Sequence, residues 1–207
     1  MKNLFFFGFI GIVLFATSCK KSETIPDTNP PPPGNSAFSY IREGALWTYI
    51  NSDTDPNHAG ITFETSYNIT GIDPHGYCFV DWQIPLSLQK ITWYADKDQW
   101  ADPASKATGE KFTLITASPV PGDTYSMTYT NGTTFTNTRT VMSLIASKTV
   151  PAGSFTGCAL IHETTTADTV YYKDYWIHPT YGIIRMEGTT KEDFPVIIIQ
   201  ELKQMPF

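Results

Sequence analysis

Two stretches of this chain bring together residue types that do chemistry. In Asp53-Thr54-Asp55-Pro56-Asn57-His58-Ala59-Gly60-Ile61-Thr62-Phe63-Glu64, oxygen ligands alternate at Asp53, Asp55 and Asn57. Glu64 falls where a calcium loop places its bidentate carboxylate, so Ca²⁺ is the one cofactor the sequence offers. His58 stands where such a loop needs glycine, and aspartate and asparagine at these positions also build ordinary turns. The second stretch, Trp93-Tyr94-Ala95-Asp96-Lys97-Asp98-Gln99-Trp100, interleaves aromatic faces with carboxylates. Sugars stack on such rings and bond their hydroxyls to carboxylates, so Trp93, Tyr94, Asp96, Asp98 and Trp100 are candidate glycan or ligand contacts. The alternative is a hairpin with its tryptophans in the core and its charges in water.

Nucleophilic or metal catalysis finds little support. No serine stands in a Gly-x-Ser-x-Gly elbow, and Ser154 falls within a turn motif. There is no His-Glu-x-x-His and no Cys-x-x-Cys. His58, His75, His162 and His178 lie in turns or alternating strands, where packed or surface roles are expected. Paired carboxylates can still meet from distant strands. Asp168-Thr169-Val170 resembles the short sequon of some bacterial O-glycosylation systems.

The elements that must position these residues are strands. Aromatic residues make up 14% of the chain against 16% charged, and threonine recurs throughout, a composition suited to pleated, half-buried surfaces. Strand patterns run over 45–52, 61–72, 77–84, 91–95, 112–116, 125–130, 133 onward, 141–146, 156–165, 170–178, 182–187 and 196–202, divided by turn residues. Residues 96–108, with Pro103, read as a loop or short helix, and Asn131-Gly132 is the clearest hairpin signal. The expectation is an all-β domain over 37–207: a curved antiparallel sheet or half-barrel of about ten strands with little helix.

The first 18 residues carry Lys2, a short apolar run and small residues, the grammar of a secretory leader. Ala16-Thr17-Ser18-Cys19 resembles the lipobox of bacterial lipoproteins, which implies lipidation of Cys19 and anchorage in a membrane of the cell envelope. Lys20, in place of the aspartate that retains such proteins at the inner membrane, favours the outer membrane by the same resemblance. Residues 19–36, with the run Pro30-Pro31-Pro32-Pro33-Gly34, read as an extended stalk. Once the leader and Lys2 are removed, thirteen basic side chains face twenty acidic ones, a net of −7, so nucleic acid is not an expected partner. Beyond Cys19, Cys78 and Cys158 form an even pair in a disulfide-permitting compartment; they are either bridged or buried free thiols.

Gly44-Ala45-Leu46-Trp47-Thr48-Tyr49, Val150-Pro151-Ala152-Gly153-Ser154-Phe155 and Tyr175-Trp176-Ile177-His178-Pro179-Thr180-Tyr181-Gly182-Ile183-Ile184-Arg185 occur in that order. Together they resemble the half-barrel of the lipoprotein-carrier (Lol) proteins, whose concave face is apolar. Gly153 and Gly182 are expected at strand starts, and Trp47, Phe155 and Trp176 in the core. The expected function is non-enzymatic: an apolar ligand or envelope protein held on the curved sheet. Glycan binding is the alternative reading, and a hydrolase comes behind both.

Overall fold

In the computed structural model, residues 37–105, 109–131, 133–167, 172–189 and 197–204 are described. The leader, Cys19, the proline-rich stalk, Gly132 and Asp168-Thr169-Val170 lie outside them.

Twelve strands follow one another: β1 Leu46–Asp53, β2 Phe63–Ile72, β3 Tyr77–Ile84, β4 Ser87–Ala95, β5 Gln99–Ser105 and β6 Glu110–Thr116 in the first half. The second half holds β7 Thr124–Asn131, β8 Thr133–Val150, β9 Gly153–Thr165, β10 Tyr172–His178, β11 Gly182–Thr189 and β12 Ile197–Gln204. A 3-10 turn, Pro56–His58, joins β1 to β2. All twelve strands form one antiparallel sheet in the order β6-β5-β4-β3-β2-β1-β12-β11-β10-β9-β8-β7. The two halves are thus meanders fused through β1 and β12, where Ile50 faces Glu201 and Asn51 faces Gln200.

The curvature goes beyond a half-barrel. The sheet edges, β6 and β7, are consecutive in the chain, so the sheet is a nearly closed barrel with its seam between them. Two further differences from the sequence pattern stand out. Residues 99–105 are a strand despite Pro103, which is tolerable because β5 pairs with β4 only through Tyr94↔Ala101 and Ala95↔Trp100. The segments beginning at 133 and 141 are one strand, β8, bent by register shifts after Val141, Ser143 and Ala146.

Alternation sorts the side chains. On β1, Trp47, Tyr49 and Asn51 are buried inside, and the residues between them are more exposed. The same parity sends Val80 and Trp82, Ile161 and Glu163, and Gln200 and Leu202 inward. One end of the barrel is filled by the segment preceding β1, whose Phe38, Tyr40 and Ile41 are buried. Tyr40 packs edge-on against Trp100. Gly182 opens β11 with φ +76°, and a Cβ there would sit 3.0 Å from the Tyr40 ring. Glycine is required on both counts. Trp47 and Phe155 are buried as expected; so is Trp176, although it faces outward, because Lys148 lies 4.1 Å above its ring.

Among the described residues, the half-buried Tyr125 hydroxyl of β7 lies 3.1 Å from Thr116 Oγ1 of β6 across the seam, and the buried side chain of Arg139 crosses it. Arg139 of β8 donates from Nε to Glu163 Oε2 (2.7 Å), from Nη1 to the Phe112 carbonyl (2.9 Å) and from Nη2 to Asp102 Oδ2 (2.7 Å). Its guanidinium lies 3.8 Å over the Phe112 ring, and Tyr175 donates to Glu163 Oε2 at 3.0 Å. Burial works against the guanidinium charge, but the oxygens of Tyr175, Asp102 and Glu163 outweigh it and raise the Arg139 pKa. Arg139→Ala leaves Glu163 charged and buried without its partner, and is expected to cost about 3–5 kcal/mol. Asp102 is half exposed, so Asp102→Asn is expected to cost at most about 1 kcal/mol. Urea unfolding of the two variants checks this ordering.

Candidate functional site

The candidate site is the barrel interior at the end away from the Phe38–Tyr40 plug. A cavity of about 730 Å³ lies there, within the range of small-molecule pockets. One wall is built by the inward parity of β1 to β6, where Tyr49, Tyr67, Trp82, Trp93 and Trp100 line it with Ile91 and Leu114 between them, and β10 to β12 close the other side with Tyr175, Met186 and Gln200. The rings form a continuous set. Trp93 meets Trp47, Tyr67 and Trp100 at centroid separations of 5.5–5.9 Å, and Tyr67 stacks on Trp82 at 5.7 Å with planes 5° apart. Such rings combine a large apolar area with low side-chain freedom.

A polar patch is set into this wall where β12, β1 and β2 adjoin. Asn51 Nδ2 donates to Thr65 Oγ1 (2.9 Å) and to the Phe63 carbonyl (3.2 Å). Gln200 Nε2 donates to Asn51 Oδ1 (3.1 Å) and Thr65 Oγ1 (3.0 Å). Each of these three residues is at most 6% exposed. The network is internally satisfied, as a buried polar cluster must be. Burial raises the Tyr67 hydroxyl pKa, opposed by its hydrogen bond with Gln200, and holds Tyr49 well above the usual range. Both phenols are therefore neutral donors at physiological pH. Lys173 and Asp102 add one charge of each sign to the lining.

The residues singled out by the sequence are distributed differently. Trp93 and Trp100 face the interior, and Trp100 is only 3% exposed. Tyr94 pairs with Tyr77 on the other face, and its hydroxyl donates to Asp96 Oδ2 at 2.6 Å. Asp96 Oδ1 accepts from the backbone N–H groups of Asp98 and Gln99, shaping the β4–β5 turn, while Asp98 holds Lys97. The five residues thus do not form one exposed lip.

Asp53, Asp55 and Asn57 act as turn formers. Asp53 Oδ1 accepts from Asp55 N, and Asp55 Oδ1 accepts from Asn57 N, capping the 3-10 turn. His58 Nδ1 lies 3.1 Å from Asp53 Oδ2. Glu64, on the outward parity of β2, pairs with Lys203 instead. Among the described residues no group of three or more His, Cys, Asp or Glu side chains converges as a metal-ligand set. Of the other histidines, His162 Nδ1 is 2.6 Å from Asp174 Oδ1, and His178 stacks on Tyr181. The Ser154 hydroxyl bonds Thr149 Oγ1.

Sequence reasoning missed Asn51, Thr65, Tyr67, Trp82 and Gln200. The signal was present in the strand period: Asn51 follows Trp47 and Tyr49 at two-residue steps, and Gln200 lies between Ile198 and Leu202. A polar residue on an otherwise apolar parity marks a polar spot inside the barrel.

No family model matches this chain, and no curated protein matches it. Among solved structures it is similar to a protein of Bacteroides fragilis described as a candidate exported protein with a YmcC-like fold. Sequence identity is 14% and the TM-score 0.51, over 79% of this chain and 96% of that one. The two share a fold.

Cys78 and Cys158 are not bridged; both are buried free thiols, each pushed up by burial to about 11. At pH 8 the reactive thiolate is then about a hundredfold scarcer than for a thiol at its ordinary value. In a Cys19→Ser chain, neither cysteine is expected to react with an aromatic disulfide reagent at pH 8 until urea is added, when both react. Thiol absorbance assays check this.

Proposed function

We propose that this chain is a non-enzymatic envelope protein, anchored by lipid on Cys19, that holds an apolar ligand inside its barrel. The observation that carries the reading is the 730 Å³ cavity, with seven aromatic side chains in its wall and a self-satisfied polar patch. Apolar rings left facing an open cavity are a standing source of binding free energy, roughly 25 cal/mol for each Å² an occupant removes from water. The leader and lipobox support the address, Lys20 supports the outer membrane, and the neighbour described as exported agrees with an envelope location. The resemblance to lipoprotein carriers supports the same use of a concave apolar face. An apolar ligand is favoured over a glycan because Trp93 and Trp100 turn inward, away from the Asp96 and Asp98 carboxylates that would bond sugar hydroxyls.

A neutral apolar dye, N-phenyl-1-naphthylamine, is expected to bind the full chain at one saturable site. Ile91→Trp fills part of the cavity and is expected to weaken that binding at least about tenfold, with circular dichroism unchanged. Native mass spectrometry of protein purified from its envelope is expected to show a co-purifying apolar mass. No dye binding and a clean apo mass together would reject the reading.

The anchor is tested separately. Cys19→Ser is expected to move the chain from the membrane fraction to the soluble periplasmic fraction on cell fractionation. Retention in the membrane would assign attachment to another part of the molecule.

A further inference from the structure

On the seam side of the barrel, charges alternate in sign from strand to strand. Asp102 of β5 accepts from Arg139 of β8, and Arg139 donates in turn to Glu163 of β9. Lys173 of β10 stands directly opposite Glu163 in the β9–β10 register. The two inner members, Arg139 and Glu163, are each 3% exposed and engage one another, with the Phe112 carbonyl and the Tyr175 hydroxyl completing the set. The two outer members reach the cavity. Among the described residues, Asp102 and Lys173 are the charged side chains of its lining, and the Asp102 side chain is 50% exposed. The four charges sum to zero, and the cavity meets a negative end at β5 and a positive end at β10.

Strand direction places both ends toward the mouth. β3 ends at the mouth, where Ile84 and Pro85 line the cavity, and β12 starts there, at Ile198. In the antiparallel sheet β5 runs with β3 and β10 with β12. Asp102 therefore stands two residues nearer the mouth than Trp100, and Lys173 two residues nearer it than Tyr175. Lys173 is also given room: its stem crosses Gly188 of β11, where a Cβ would sit 3.1 Å from Lys173 Cγ. A glycine inside a strand often marks such a close approach. The lining is thus aromatic in its depth and carries one charge of each sign nearer the mouth.

We infer that the ligand is a zwitterionic amphiphile: its hydrocarbon lies along the aromatic wall, its ammonium group meets Asp102, and its phosphate or carboxylate meets Lys173. This rests on the reading of the cavity as an apolar-ligand site and adds the chemistry of the ligand's head. A singly charged amphiphile complements one end of the arc and sets a like charge near the other, which binding sites use to reject partners. A head with both charges and no net charge complements both ends.

The test uses the full chain, stripped of co-purifying lipid on a hydrophobic resin, at pH 7 and low salt, where such charges are least screened. Three amphiphiles with the same chain, each below its micelle concentration, displace N-phenyl-1-naphthylamine: dodecyl phosphoethanolamine, dodecyl methyl phosphate and dodecylammonium. The zwitterion is expected to displace the dye at a concentration about five- to tenfold lower than either of the others. Asp102→Asn is expected to weaken the zwitterion and dodecylammonium by a similar factor and to strengthen dodecyl methyl phosphate. Lys173→Gln is expected to weaken the zwitterion and dodecyl methyl phosphate and to strengthen dodecylammonium. These opposite signs separate a charge contact from a general disturbance of the barrel. Binding of all three to the native chain within about twofold, or tightest binding by a singly charged amphiphile, overturns the inference while leaving the apolar-site reading intact. So does either variant moving all three in the same direction. The ranking on the native chain decides the matter if a variant does not fold. Failure of the dye and all three amphiphiles to bind the native chain overturns the reading and the inference together.

Discussion

The guanidinium of Arg139 is the interaction on which this barrel's closure depends. A twelve-stranded meander fused through β1 and β12 leaves β6 and β7 as edges, and unpaired edges are open to pairing with other chains. The chain makes them consecutive, which brings them together cheaply but does not pair them. Arg139 does what the missing ladder would do. From β8 it reaches past β7 to the Phe112 carbonyl on β6 and to Asp102 on β5, while Glu163 on β9 and Tyr175 on β10 hold its other side. One buried charge therefore ties five strands to a single register. Its net contribution to stability need not be large, because burying an ion pair costs much of what it returns. What it provides is a defined closure, since any other seam geometry would strand a buried charge.

That closure sets up an unequal interior. At one end Phe38, Tyr40 and Ile41 fill the barrel, and Gly182 admits the Tyr40 ring where any side chain would collide. From Tyr40 the ring contacts run through Trp100 and Trp93 to Tyr67 and Trp82, so packing at the plug is continuous with the cavity wall. The hydroxyl of Tyr49 and the indole of Trp47 reach across β12 to the carbonyls of Ile183 on β11 and of Tyr181 in the turn just before it, so the wall of β1 is held to the far half of the barrel. The aromatic wall is thus held rigid by the same contacts that make the core, and a rigid wall binds at a lower entropic cost than one that must be ordered.

Most of the fold was legible because a strand leaves a local trace. Tyr77–Ile84 is bounded as its sequence pattern predicts, and the starts at Gly153 and Gly182 are where glycine was expected. The trace failed where its cause was not local. Residues 99–105 carry Asp102 and Pro103, which read as loop, and they become a strand because Trp100 has a core to enter and Asp102 has Arg139 to meet. The bends of β8 were read as a break between two strands. The candidate site was less legible for the same reason. The aromatic–carboxylate stretch was noticed as one cluster, but alternation divides it: Trp93 turns inward and Tyr94 outward, and the carboxylates remain in the turn. The Asp53–Glu64 stretch kept its turn chemistry, and the strand parity of β2 carried Glu64 away from it.

The polar patch set into the cavity wall belongs to the fold rather than to an occupant. Asn51, Thr65 and Gln200 satisfy one another across three strands, so they fix the β2–β1–β12 register whether or not anything is bound. A ligand competing for them would have to break protein hydrogen bonds to gain its own.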